Sequence, residues 1–165
     1  MNLNRFCHPR NPFRVRPDFL QLSSKHAELE LHLIRFANGK CKVDFESADA
    51  VRTLTRVLLQ ETYELDVQIP LDRLVPAVPQ RLNYLLWLED IFNTICDHEK
   101  LVVGLDIGTG ASCIFPLLGC RLRSNWNFVG TELDSQSAIA ASQNVNRNLL
   151  QHRISGQFLA VSLCL

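Results

Sequence analysis

An α/β chain with a parallel sheet, preceded by a small α+β module, is the fold class this sequence predicts, and three observations carry the prediction. Residues 101–107 form an apolar run that reads as a buried parallel strand and closes on Asp106 and a glycine turn, Gly108-Thr109-Gly110. A second run, residues 127–134, follows at the interval of one crossover helix and ends in Glu132 and Asp134. Before both, residues 18–59 carry helical spacing interrupted by the turn dipeptide Asn38-Gly39 and a short alternating stretch at residues 41–45.

The totals set the frame. With 165 residues the chain has room for one domain and a small appended module, and 47% hydrophobic with 21% charged residues is the composition of a packed protein. The start lacks a charged region followed by an apolar one, and no apolar run reaches the length of about 18 residues needed to span a bilayer. Secretion and a membrane partner are therefore not expected. Cys7, Cys41, Cys96, Cys113, Cys120 and Cys164 are scattered, with His8 beside Cys7 and His98 near Cys96. Isolated pairs cannot complete a tetrahedral site, so no metal is expected. Reduced thiols of a nuclear or cytoplasmic compartment are.

Zero net charge conceals an asymmetry. Residues 1–42 hold eight Lys or Arg against three acids, residues 43–99 four against eleven, and residues 100–165 five against three. A basic end on a neutral chain is the footprint of a polyanion, because cations that neutralise phosphates release counterions.

Taken in order, residues 1–17 interleave Arg5, Arg10, Arg14 and Arg16 with Phe6, Phe13 and three prolines. Proline removes a donor and pushes its predecessor towards extended backbone, so an extended arm is expected. Guanidinium groups among aromatics suit the exposed bases and phosphates of RNA. Phe19, Leu22, Leu29, Leu33 and Phe36 then fall on one helical face, residues 41–45 read as a strand, and Ser47 is placed to cap a helix whose stripe is Val51, Leu54, Val57 and Leu58. Residues 1–65 are read as this basic RNA-binding module, residues 66–79 as a proline-rich connector without regular structure, and residues 80–165 as the sheet domain. A helix is expected from Gln80 to about Asp97, another from Ser135 to about Leu150, and a third strand is expected to begin at Ile154.

The glycine turn selects a ligand class. Cys113 stands where the dinucleotide fingerprint G-x-G-x-x-G needs its third glycine, which argues against NAD. The other common user of an acid followed by G-x-G after a first strand is an S-adenosylmethionine (SAM) methyltransferase. Glu132 lies 22 positions beyond Gly110, the place of a ribose-binding acid, with Asp134 the alternative ligand or simply a helix cap. Arg81 sits in the first turn of its helix, against the helix dipole, a placement that suits the SAM carboxylate. Asn11-Pro12-Phe13 resembles part of an amine-binding Asn-Pro-Pro-aromatic box but lacks its second proline.

Several motifs in order, His8-Pro9-Arg10-Asn11, Pro17-Asp18-Phe19, Val43-Asp44-Phe45, Ile69-Pro70, Val78-Pro79, Arg81-Leu82-Asn83-Tyr84, residues 105–114, Pro116-Leu117 and Gly130-Thr131-Glu132-Leu133-Asp134, make the chain similar to the methyltransferase-like protein 16 family. That is a family of U6 small nuclear RNA adenine-N6 methyltransferases with bacterial ribosomal-RNA relatives, and the resemblance runs over roughly residues 5–150. It implies a Rossmann-like class I methyltransferase fold and SAM as cofactor, with Arg81, Gly108, Ser112 and Glu132 at SAM-contacting positions and Asp106 and Gly110 completing the turn. It also implies structured RNA, U6-like or ribosomal, as partner, with Arg10 and Asn11 in the RNA-binding module beside Arg14 and Arg16. The departure comes late. The family's Asn-Pro-Pro-Phe box does not follow Glu132, and residues 155–165 leave the pattern. The expectation is a piece or truncated form of an active enzyme, or a catalytically inactive RNA-binding form, with the first strand left open to solvent along one side.

Overall fold

The computed structural model describes residues 6–95 and 99–157. Its centre is a parallel three-stranded sheet in the order β3-β4-β5, made of β3 (Val102–Ile107), β4 (Trp126–Thr131) and β5 (Ile154–Gln157). Helices α5 (Ile114–Leu122) and α6 (Ser135–Arg147) make the two crossovers. Register runs from Val102 opposite Trp126 to Ile107 opposite Thr131, which brings the ends of β3 and β4 level. Phe128 fixes the packing of α5 on this sheet. A Cβ on Gly104 would stand 2.7 Å from its ring and one on Gly119 2.3 Å, so both glycines are there because the ring fills their space. Arg153 closes the far end, donating to the carbonyls of Cys120 (2.9 Å), Arg123 and Trp126.

Residues 102–107 form the expected strand, and among the described residues one side of it is open as expected, but the burial read from its apolar run is corrected. Leu101, Val103, Leu105 and Ile107 are 63–79% exposed, and among the described residues β3 pairs with β4 alone. The apolar run encodes a strand whose second face no described residue covers.

The long helix expected from Asp18 to Phe36 is also corrected. α1 (Phe19–Lys25), capped by Asp18, stops at His26, α2 (Ala27–Glu30) is a single turn, and Leu33 begins the strand β1 (Leu33–Arg35). The reason lies in Asn38-Gly39. Gly39 takes φ +77°, the chain reverses, and β1 pairs antiparallel with β2 (Cys41–Val43). A two-stranded ladder has claimed residues whose spacing alone suits a helix. The other module helix follows expectation: α3 (Ala48–Tyr63) starts at Ser47, whose hydroxyl accepts from Ala50 N at 3.3 Å.

Module and sheet are not separate bodies. One continuous apolar core runs from Phe13 and Phe19 through Leu54, Leu65 and Leu82 to Leu117, Phe128 and Ile154. Residues 66–77 have no regular element, as expected, yet the stretch from Leu65 to Ile69 enters this core with Leu65, Val67 and Ile69 buried. The backbone groups of Asp66 and Gln68 are met by two asparagines, Asn144 on α6 and Asn148 at its C-terminal cap. Asn144 accepts from Gln68 N (2.8 Å) and donates to Gln68 O (2.9 Å), while Asn148 accepts from Asp66 N (2.9 Å) and donates to Asp66 O (2.8 Å). Four residues of helix rise about 6 Å and two of extended chain about 6.6 Å, so side chains at that helical spacing can serve alternate residues of a strand.

Helix α4 (Val78–Ile95) starts two residues before the expected Gln80 and takes Pro79 into its first turn, where proline is tolerated; residues 96–98, with Cys96 and His98, lie outside the described residues. Leu82, Leu85 and Leu86 face the core as expected, but Ile91 and Ile95 are more than half exposed. α6 ends at Arg147 rather than Leu150, and β5 begins at Ile154 as expected.

Candidate cofactor and nucleic-acid sites

The turn after β3 is held from β4 and from Glu132. Gly108 N and Thr109 N both donate to Thr131 O (2.9 and 3.0 Å), and Gly110 N donates to the Glu132 carboxylate at 2.8 Å. Gly108 and Gly110 adopt φ +78° and +62°, and the space where a Cβ would stand is open at both. That combination gives bare backbone with room above it, as close approach of a ligand requires. Cys113, in the third-glycine place, is itself left-handed (φ +51°) and buried among apolar groups, which pushes its thiol upward in pKa.

Five of the residues read from the sequence converge here: Asp106, Gly108, Gly110, Ser112 and Glu132. Burial, with the neighbouring Glu132 charge second, raises the Asp106 carboxyl above the usual carboxylate range, and its Oδ2 is buried without a hydrogen-bond partner. Thr109 Oγ1 is buried and unpartnered as well. Ser112 is 6% exposed. Glu132 accepts from Gly110 N through Oε2 and from Leu133 N (2.9 Å) and Asp134 N (3.0 Å) through Oε1. A carboxylate offers about four lone-pair sites, so this conformation leaves Glu132 one for a further donor. Asp134 is committed elsewhere, capping α6 at Ser137 N (2.8 Å) and pairing with Arg73 (2.9 Å). The Ser137 hydrogen bonds hold its carboxyl below the usual range.

Arg81 reaches this end of the molecule from α4. Its guanidinium carbon lies 5.6 Å from the centre of the Phe115 ring, one residue into the helix that follows the glycine turn. Tyr84, one turn along α4, packs on the same ring edge-on at 5.3 Å.

The basic arm is seated on α4 rather than loose. Asn11 caps a short 3-10 turn (Pro12–Arg14), accepting from Phe13 N (3.0 Å) and donating to Pro79 O (2.9 Å). Both ends of this 2%-exposed side chain are thereby used, which leaves nothing for a substrate amine and disposes of the partial box. His8 Nδ1 accepts from Arg10 N (3.2 Å), so Nε2 carries the proton and donates to Asp90 (2.7 Å), with Trp87 edge-on to the ring. The His8 hydrogen bond, with the Arg10 charge beside it, keeps the Asp90 carboxyl below its ordinary range. Arg10 is bound to Glu89 and Asp90, and Arg123 meets the other oxygen of the buried Glu89. Of the four RNA-contact candidates, Arg10 and Asn11 hold the arm in place. Arg14 and Arg16 face a cleft of about 730 Å³ between the arm, α3 and the start of α4.

Asn144 is the residue the sequence reading missed. Besides Gln68 it donates to Ala111 O (3.0 Å), tying the glycine turn to the buried connector. The available signal was the pair Asn144 and Asn148 at helical spacing beside the alternating Leu65, Val67 and Ile69.

Parallel strands wound by helices, with an acid, an open glycine turn and a second acid at the end of the next strand, define a Rossmann-like domain of the methyltransferase class. A family model described as RNA methyltransferase matches residues 1–158. The chain is 43% identical over 156 residues to the RNA N(6)-adenosine-methyltransferase METTL16 of Homo sapiens, covering 93% of this chain and 28% of that protein. It is 43% identical over 155 residues to the U6 small nuclear RNA (adenine-(43)-N(6))-methyltransferase of Caenorhabditis elegans, covering 93% and 32%. The crystal structure of the N-terminal domain of human METTL16 in complex with SAH superposes with a TM-score of 0.85 at 43% identity, covering 91% of this chain and 58% of that one. The hMettl16 catalytic domain in complex with MAT2A 3'UTR hairpin 1 gives 0.84 at 42%, covering 93% and 51%. This chain belongs to the METTL16 family of RNA methyltransferases, and spans about a third of the length of the curated relatives it matches.

Proposed function

We propose that this chain supplies the cofactor-holding and RNA-holding part of an RNA adenine-N6 methyltransferase acting on structured RNA. The observation that carries the reading is the buried, unpartnered Oδ2 of Asp106 beside a glycine turn with open space above it, next to Glu132. These residues fit SAM. Asp106 offers an acceptor for the ammonium, Arg81 a cation for the carboxylate, and Glu132 its remaining lone pair for a ribose hydroxyl. Bidentate acceptance of both hydroxyls requires Glu132 to release Gly110 N. When bound, SAM supplies an electrophilic methyl group, and the protein's contribution is to position donor and acceptor. The RNA side of the reading rests on the basic arm and on its seating against the helix that carries Arg81.

Calorimetry with S-adenosylhomocysteine (SAH) tests the cofactor half. Arg81→Ala and Glu132→Ala are each expected to weaken binding by at least about ten-fold, since a hydrogen bond to a charged group is worth roughly 1.5–3 kcal/mol. Undiminished affinity in both variants would remove these residues from the cofactor site.

A further inference from the structure

The cleft between the arm and α3 shares no residue with the glycine-turn site, and its lining combines two chemistries. Its walls are apolar: Phe13, Phe19 and Leu54 are less than 10% exposed, and Phe45 stands at the lip 61% exposed. Its rim is cationic. Arg14 has a buried Nε without a hydrogen-bond partner, and Arg16 lies with its guanidinium carbon 4.9 Å from the centre of the Phe19 ring while its Nη2 donates to Cys41 O at 3.5 Å. An apolar surface flanked by two cations matches one nucleotide, a ring with a π-face attached to an anion. At about 730 Å³ the cleft is within the range that encloses such ligands.

We propose that this cleft takes an unpaired base of the bound RNA, stacked against Phe45, with the adjoining phosphates on Arg14 and Arg16. It would be a base-holding subsite remote from the cofactor turn, and it rests on the RNA reading above. Charge decides the occupant: the arm belongs to a segment with eight cations and three acids, and neither Arg14 nor Arg16 has a carboxylate partner among the described residues. An RNA strand brings a phosphate with every base, whereas a peptide must supply acids at matching spacing.

The test uses the full 165-residue chain and a labelled RNA hairpin with a single-stranded loop, replacing each unpaired nucleotide in turn by an abasic one. One abasic position is expected to weaken binding by about ten-fold, the usual effect of losing one base–aromatic stack. Phe45→Ala should weaken the intact hairpin by a similar factor and leave the abasic hairpin unchanged, and Phe45→Trp should restore the difference. Arg14→Ala and Arg16→Ala should each lower the slope of log K against log salt by about one unit on both RNAs. If RNA binds but Phe45→Ala affects both hairpins equally or not at all, the cleft is no base site while the RNA reading stands. If the chain binds no hairpin at low salt, both fall. A flat abasic series, together with displacement of RNA by an acidic aromatic peptide, would give the cleft to a protein partner and overturn the proposal.

Discussion

Replacing Asn144 by Ala separates the fold's internal wiring from its cofactor chemistry. Asn144 is 1% exposed and makes three hydrogen bonds, from Gln68 N and to Gln68 O and Ala111 O. Losing three bonds of net value near 1 kcal/mol, and leaving their backbone partners buried and unpaired, should cost about 3–6 kcal/mol. Against a total stability of order 10 kcal/mol, that is a third or more of what holds the chain folded. In a urea titration with a slope of about 2 kcal/mol per molar, the midpoint should fall by roughly 1.5–3 M. Asn144→Asp sharpens the test. The new carboxylate keeps the acceptor for Gln68 N but faces two carbonyls with no donor, so its folded pKa is raised. Its penalty should be greatest at neutral pH and relax as pH falls through that raised value, where the protonated group can donate again. A loss below about 1 kcal/mol for Asn144→Ala, or a pH-independent penalty for Asn144→Asp, would refute the argument that these bonds hold the connector.

Three further outcomes are expected. Asp106→Asn should stabilise the ligand-free chain above the carboxylate range, because the native state holds the Asp106 proton more tightly than the unfolded chain and pays for ionisation as pH rises. The melting-temperature gain should vanish near pH 4, while SAH affinity falls; equal melting curves at pH 8 would contradict it. Gly119→Ala should destabilise by about 1–3 kcal/mol despite better helix propensity, because the methyl meets the Phe128 ring, and Phe128→Leu should relieve part of that loss in a double-mutant cycle. Arg10→Ala should loosen the arm by about 1–2 kcal/mol, given that Arg10 is half exposed, and tryptic cleavage after Arg14 should quicken about five- to thirty-fold.

What was legible in the sequence was what local chemistry decides. The glycine turn, the position of Glu132 just past the second strand and the Ser47 cap each depend on a few adjacent residues, and each stands where it was expected. The long helix from Asp18 was lost to a hairpin because pairing across Asn38-Gly39 competes with helical spacing, a contest between alternatives that periodicity cannot score. The task of Arg10 depends on Glu89 and Asp90, 79 and 80 residues away, so the arm's composition pointed to a polyanion where the fold had already supplied carboxylates. The role of Asn144 is hard to read for the same reason: its spacing with Asn148 is visible in the sequence, but its partners, Gln68 and Ala111, come from two distant stretches of chain.

The contacts that seat the arm and the connector span 68 to 82 residues of sequence. At a synthesis rate of about 5–20 residues per second, His8 and Arg10 emerge some 4–16 seconds before Glu89 and Asp90 exist to receive them. The residues of α6 that bind Asp66 and Gln68 lag by a similar interval. During that window a strongly basic strand waits beside an RNA-built ribosome with none of its internal partners made. The acids of α4 therefore decide, as soon as they appear, how much of the arm's charge the folded protein keeps for itself and how much it leaves to face outward.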